Sequence, residues 1–164
     1  MRLLKRLFAV ALGVAISLSG SITAYASALP PVKPNPLDGI TFRHGDISWL
    51  PILAEKAGWP KQTWRKLGQI ILRESGGCPN RKGGDIVDDN CNVIGVSEWS
   101  HRSDSGLLQI NGVHWQPKHE YYAGLVCKQM KVCTQGPLLD ALTNLKAGKL
   151  LWDVAGFTPW QVQG

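Results

Sequence analysis

Four cysteines, Cys78, Cys91, Cys127 and Cys133, stand behind an export leader in a chain of 164 residues. That combination restricts the fold more than any other feature. In an exported chain an even cysteine count reads as disulfides, and four thiols allow three pairings. The favoured pairing joins Cys78 to Cys91 and Cys127 to Cys133, because each bridge then closes a short local loop. Zinc is the rival use of the same thiols, but no CxxC pair is present, and thiolate zinc sites usually contain one.

The leader itself is read from Arg2, Lys5 and Arg6 followed by an apolar run from Leu7 to about Leu18 and then small residues. This is the pattern of a secretory signal peptide over residues 1–26, with cleavage after Ala26 at the AYA site and after Ala28 as the second choice. The apolar run is short for a membrane anchor, so no stable membrane association is expected once the leader is removed. Residues 27–39 are proline-rich and read as an extended tether. Residues 40–164 then form one folded domain, small enough to benefit from staples. Loss of the leader lowers Lys+Arg from 18 to 15 against 12 Asp+Glu. Such a mild excess, unclustered, argues against nucleic acid as a partner and suits approach to an anionic polymer.

Hydrophobic period and punctuation predict a mostly helical domain. Asp46 can cap a helix running toward Lys56, with Gly58 ending it. A second helix starts near Pro60 and stops at Gly76 and Gly77. From Cys78 to Ser105 the chain is rich in Gly, Asp, Asn and Ser, which predicts a long irregular loop or short β-hairpins. A short helical piece is expected near Leu125 to Met130. A last helix runs from Pro137 to about Ala155, with Leu138, Ala141, Leu142, Leu145 and Trp152 as its core-facing stripe.

The second helix carries an anomaly. At about 100° per residue from Trp64, Leu67, Ile70 and Ile71 fall near 300°, 240° and 340°, and Glu74 falls near 280°. Glu74 therefore lies in the middle of the apolar stripe, opposite Lys61, Arg65, Lys66, Gln69 and Arg73. A carboxyl among Trp, Leu and Ile loses hydration, which disfavours the anion. A carboxylic acid that keeps its proton at neutral pH can donate it to a leaving oxygen, as cleavage of a glycosidic bond requires. The competing reading is structural: at the helix end Glu74 bends into solvent or pairs with an arginine such as Arg102.

A second motif bears on the choice. RESGG (73–77) closes a helix, a polar loop follows, and then comes SDSGLLQIN (103–111). This order resembles the lysozyme-like lytic transglycosylases, whose pattern is a catalytic Glu in an ES motif followed by GLMQ. The run from Asn144 through GFTPW (156–160) is similar to the last helix and closing tryptophan of that family's small actinobacterial and phage members. The resemblance covers roughly residues 47–160. It implies a mainly α, α+β lysozyme-like fold, a single helical domain with an irregular or hairpin insert. It also implies a secreted enzyme, monomeric and without cofactor, that cuts peptidoglycan glycan strands.

By the same resemblance Glu74 matches the general acid/base and Gln109 the glutamine of the substrate groove. Ser75 adjoins the acid and orients it or its loop. Ser100 falls where the family often has a serine near the sugar. Asn111 is a turn residue or a sugar contact, and Leu107, Leu108 and Ile110 form a wall keeping the acid dry. The chain departs from the family in Ser103 and Asp104, where many relatives have Gly and Ala, in its longer acidic insert, and in lacking the AYN motif. Tyr121 and Tyr122 are the candidates to replace that motif's tyrosine.

A lytic transglycosylase needs one carboxyl, because the muramyl C6 hydroxyl can attack; a hydrolase of this class usually needs a second. The insert offers Asp85, Asp88, Asp89, Glu98 and Asp104, of which Asp104 is the leading candidate from its place beside GLLQIN. Among the seven tryptophans, Trp99 and Trp115 flank the expected cleft as stacking candidates, while Trp64 and Trp152 belong to helical stripes. DDNCN (88–92) begins like an EF-hand loop, but Val93 replaces the turn glycine and Trp99 the terminal glutamate. His114 and His119 are five apart, so no HExxH pair exists for a zinc amidase. A glycan-binding module without catalysis is the alternative from another class, and a small structural secreted protein is a further one.

Overall fold

The structure is a computed structural model, and it describes residues 39–98, 101–117 and 124–161. The stretches read as signal peptide and tether, up to residue 38, lie outside the described residues, as do Trp99, Ser100, Tyr121 and Tyr122. Within them the chain is mainly α with one small antiparallel hairpin. The helices are α1 (Leu50–Lys56), α2 (Trp64–Ser75), α3 (Gly112–Trp115), α4 (Leu125–Met130) and α5 (Ala141–Ala155). The hairpin pairs β1 (Asp85–Val87) with β2 (Val93–Val96).

Several boundaries differ from the sequence reading for local reasons. Asp46 does not cap α1: its carboxylate accepts from Ser48 N and Oγ, closing a turn, and the helix begins four residues later with Pro51 in its first turn. The expected helix from Pro137 to Ala155 is broken at Asp140. Residues Gly136–Leu139 form a 3₁₀ turn, Asp140 is extended at ψ 129°, and its side chain accepts from Thr143 N at 2.8 Å to cap α5. An aspartate that bonds the third amide ahead starts a helix in place of continuing one.

Helix α2 packs on α1 and buries Leu67, Ile70 and Ile71 in one core with Leu107, Leu108 and, from α5, the fully buried Leu145. Each such side chain contributes roughly 1.5–3 kcal/mol through removal from water. An aromatic group covers one end: Trp59 lies 5.6 Å from Trp152 and 6.0 Å from Phe157, and Phe157 lies 6.4 Å from Trp160, centroid to centroid. Trp152 and Trp64 are partly buried and pack on the core.

The insert is held at both ends. Disulfides join Cys78 to Cys91 and Cys127 to Cys133, with Cα atoms 5.3 and 4.4 Å apart. Such bridges persist under oxidising conditions, which fits an extracytoplasmic setting. Among the described residues no helix is long and apolar enough to cross a membrane. Strand β1, inside the loop closed by the first bridge, pairs with β2 just after it, Asp85 with Val96 and Ile86 with Gly95, with an irregularity before Val87. The chain then returns through a bridge between Lys82 and Ser105, with Gly83 N donating to the Asp104 carbonyl and Gly106 N to that of Arg81. That return sets SDSGLLQIN beside the end of α2.

Candidate functional site

The end of α2 is fixed by its glycines. Gly76 ends the helix in the left-handed region at φ 66°, and a Cβ there would lie 2.3 Å from the His44 ring. Glycine takes this conformation without steric cost, and a Cβ would have to displace the His44 ring. Ser75, wholly buried, donates from Oγ to the Ile71 carbonyl and accepts from Gly77 N. It shapes the turn that presents Glu74 and does not line the cleft.

The GLLQIN segment is a tight turn, with Gln109 N donating to the Gly106 carbonyl and Ile110 N to that of Ser105. Gly106 has φ 71°, and a Cβ there would lie 2.2 Å from the Leu138 carbonyl oxygen. Asn144 of α5 clamps the turn from below: its Oδ1 accepts from Leu108 N at 2.9 Å, and its Nδ2 donates to the carbonyls of Ser105 and Leu138, both at 2.8 Å. Gln109 has φ 45°, unusual for a residue with a Cβ. Such strain gathers at functional sites. Its amide nitrogen donates to the carbonyls of Gly106 and Arg81, which leaves the side-chain oxygen as its acceptor.

These elements meet at an open cleft of about 220 Å³ lined by Glu74, Asp104, Gln109, Ile110, Asn111, His114, Leu151, Pro159 and Trp160. Glu74, Asp104, Gln109, Ile110 and Asn111, all singled out in the sequence, are thus brought together. Glu74 is not sealed in the apolar stripe as its helical angle suggested. The last turn of α2 runs past the core, so the side chain is 25 % exposed while Leu67 and Ile71 are fully buried. Its apolar neighbours in the cleft are Ile110, Leu151, Pro159 and Trp160 in place of Trp64 and Leu67. Nor does Arg102 pair with it. Arg73 does, with Nη2 at 2.6 Å and Nε at 3.0 Å from Oε1. Glu74 Oε2 has no hydrogen bond among the described residues.

Asp104 is the carboxyl whose ionisation the site perturbs. Burial pushes it above the usual carboxylate range, and the nearby charge of Glu74 pushes the same way. A hydrogen bond from Asn111 Nδ2 at 2.6 Å and the charge of His101 act in the opposite direction. Asn111 also accepts at Oδ1 from Val113 N and so caps α3. It is a turn residue and a brace for Asp104 that also lines the cleft, with a second Nδ2 hydrogen left to donate. His114, in the same cleft, is pushed below its ordinary value by burial, which favours the neutral imidazole.

The remaining loop carboxylates lie elsewhere. Asp85 is buried, accepts from Lys82 N at 2.8 Å and pairs with Arg102, holding the insert together. Asp88 closes the 88–92 turn by accepting from Asn90 N, Asn92 N and Asn92 Nδ2. The side-chain bond from Asn92 leads in lowering its pKa. The alternating oxygens of DDNCN thus serve a turn, and among the described residues no cluster of three His, Cys, Asp or Glu is placed to hold a metal ion. Asp89 and Glu98 are exposed and do not line the cleft. Trp115 donates from Nε1 to the Ser103 carbonyl and packs on the core without lining the cleft.

Sequence reasoning missed His114 and Leu151 as cleft residues and treated Trp160 only as the end of a motif. Leu151 falls about 120° round the helix from Leu145, off the apolar stripe and on the face of Asn144, Ala147 and Gly148 that the packed chain buries. His114 had no local signal. No family model, curated protein or solved structure matches this chain.

Proposed function

We propose that this chain cleaves the β-1,4 bond between N-acetylmuramic acid and N-acetylglucosamine in peptidoglycan, as a secreted, monomeric lytic transglycosylase of the lysozyme-like kind. The observation that carries the reading is the convergence of Glu74 and Gln109, from two separate motifs, on one open cleft with an apolar wall. Glu74 gives the proton on Oε2, the oxygen without a bond among the described residues, to the glycosidic oxygen as the bond from the muramyl C1 breaks. The muramyl C6 hydroxyl then attacks C1, and its proton passes to the Glu74 carboxylate, restoring the acid and leaving a 1,6-anhydro end. Gln109 offers its carbonyl oxygen to a hydroxyl or acetamido N–H of the sugar. Pro159, exposed over the buried Trp160, supplies apolar surface beside a pyranose ring.

A second reading is favoured by one observation: Asp104 lines the same cleft. Two carboxyls across a sugar can support hydrolysis, one as acid and one as base or nucleophile. Mass spectrometry of products from purified cell wall separates the two, since anhydromuramyl ends mark transglycosylation and reducing ends alone mark hydrolysis. Glu74→Gln separates both from a glycan-binding module. It should abolish clearing of wall suspensions while leaving pull-down by peptidoglycan intact, and retained lysis would defeat the assignment of Glu74.

A further inference from the structure

We infer that Arg73 is a positioning residue that ties the acid of α2 to the C-terminal wall of the cleft. The inference rests on the glycan-cleaving role proposed above and concerns a residue that helical sorting assigns to the solvent side. Arg73 is 44 % exposed, yet its guanidinium spans two elements. Nε and Nη2 both donate to Glu74 Oε1, and Nη2 also donates to the backbone carbonyl of Trp160. Trp160 is in turn fixed from its other side, where ring Nε1 donates to the Leu108 carbonyl at 2.9 Å in the buried turn. The polar path therefore runs from the carboxyl through Arg73 and Trp160 to the GLLQIN turn, and Asn144 anchors that turn at Leu108 N.

Two consequences follow from this geometry. Because both contacts fall on Oε1, the carboxyl has one rotational setting, with Oε2 left for the proton that moves. A planar fork with two donors on one oxygen and one on a carbonyl cannot be reproduced by an ammonium. The guanidinium charge also stabilises the carboxylate that exists between proton donation and proton return. The C-terminal segment thereby becomes part of the acid's mounting as well as a wall for the sugar.

The test compares wild type with Arg73→Gln and Arg73→Lys by steady-state cleavage of peptidoglycan and by NMR hydrogen exchange of the Trp160 indole N–H. Arg73→Gln should lower kcat about 10- to 100-fold, the scale of a misplaced reacting group, with KM little changed. The Trp160 indole N–H should exchange faster in the same variant, because its backbone carbonyl has lost the bond from Nη2. Arg73→Lys keeps the charge and loses the fork, so kcat should remain low. Wild-type kcat in Arg73→Gln, or a Trp160 exchange rate unmoved by it, overturns the inference. The exchange is read whether or not glycan is cut. An inactive wild type whose Trp160 exchange rises in Arg73→Gln therefore supports the Arg73 bracket and defeats only the functional reading.

Discussion

Replacing Asn144 by alanine tests whether the GLLQIN turn is held by the buried amide of α5. Asn144 is fully buried and makes three hydrogen bonds to the backbone of two other segments. Ser105 O keeps the bond from Ile110 N after truncation, but Leu108 N and Leu138 O lose the partner shown for them. A buried polar group left without a partner costs about 1–3 kcal/mol. Two such groups with the lost side-chain contacts give about 3–5 kcal/mol, a large share of the roughly 5–15 kcal/mol that holds a domain together. Urea unfolding followed by tryptophan fluorescence should show the midpoint falling with the slope unchanged, and melting should drop by on the order of 15 °C. Asn144→Asp should be comparably harmful, because it sets an acceptor against the Ser105 and Leu138 carbonyls. A loss below about 1 kcal/mol in Asn144→Ala would refute the clamp, since the two backbone groups would then be satisfied by water.

Asp104 leads to a pH prediction. Its folded-state pKa lies above the ordinary value of 3.8, so the folded protein binds more protons than the unfolded chain between the two values. The associated stability is present below about pH 4 and is lost as pH rises through the folded value. Asp104→Asn removes that loss, so its urea midpoint should gain on wild type as pH rises; a pH-independent difference would contradict the burial argument. The disulfides should differ in worth because their loops differ, with sequence separations of 13 and 6. Chain entropy gives about 3 kcal/mol for Cys78–Cys91 and about 2.4 kcal/mol for Cys127–Cys133. Unfolding of the two double-serine variants should rank in that order.

What could be read without the fold was whatever local chemistry dictates. The stripe of Leu67, Ile70 and Ile71 and the glycine pair after Ser75 determine α2 and its end, because period and left-handed glycine act within a few residues. The two bridges were legible because each spans a short loop. The stop at Asp140 was also present in the chain as an aspartate three residues before Thr143, yet the apolar stripe on both sides concealed it. Glu74 and Gln109 could be singled out from their motifs.

Their meeting could not be derived from either motif. It depends on the antiparallel return from β2, the bridge between Lys82 and Ser105, and the grip of Asn144 on Leu108, contacts between segments far apart in the chain. The same holds for the environment of each carboxyl. Helical angle alone placed Glu74 in a dry stripe, and position beside GLLQIN was all that set Asp104 ahead of four other loop carboxylates. Tertiary packing instead let α2 run past the core, exposing Glu74 to the cleft and to Arg73, and partly buried Asp104 against Asn111. Hydration is a property of what surrounds a group in three dimensions, so the sequence selected the residues and only the packed chain decided their charge environment.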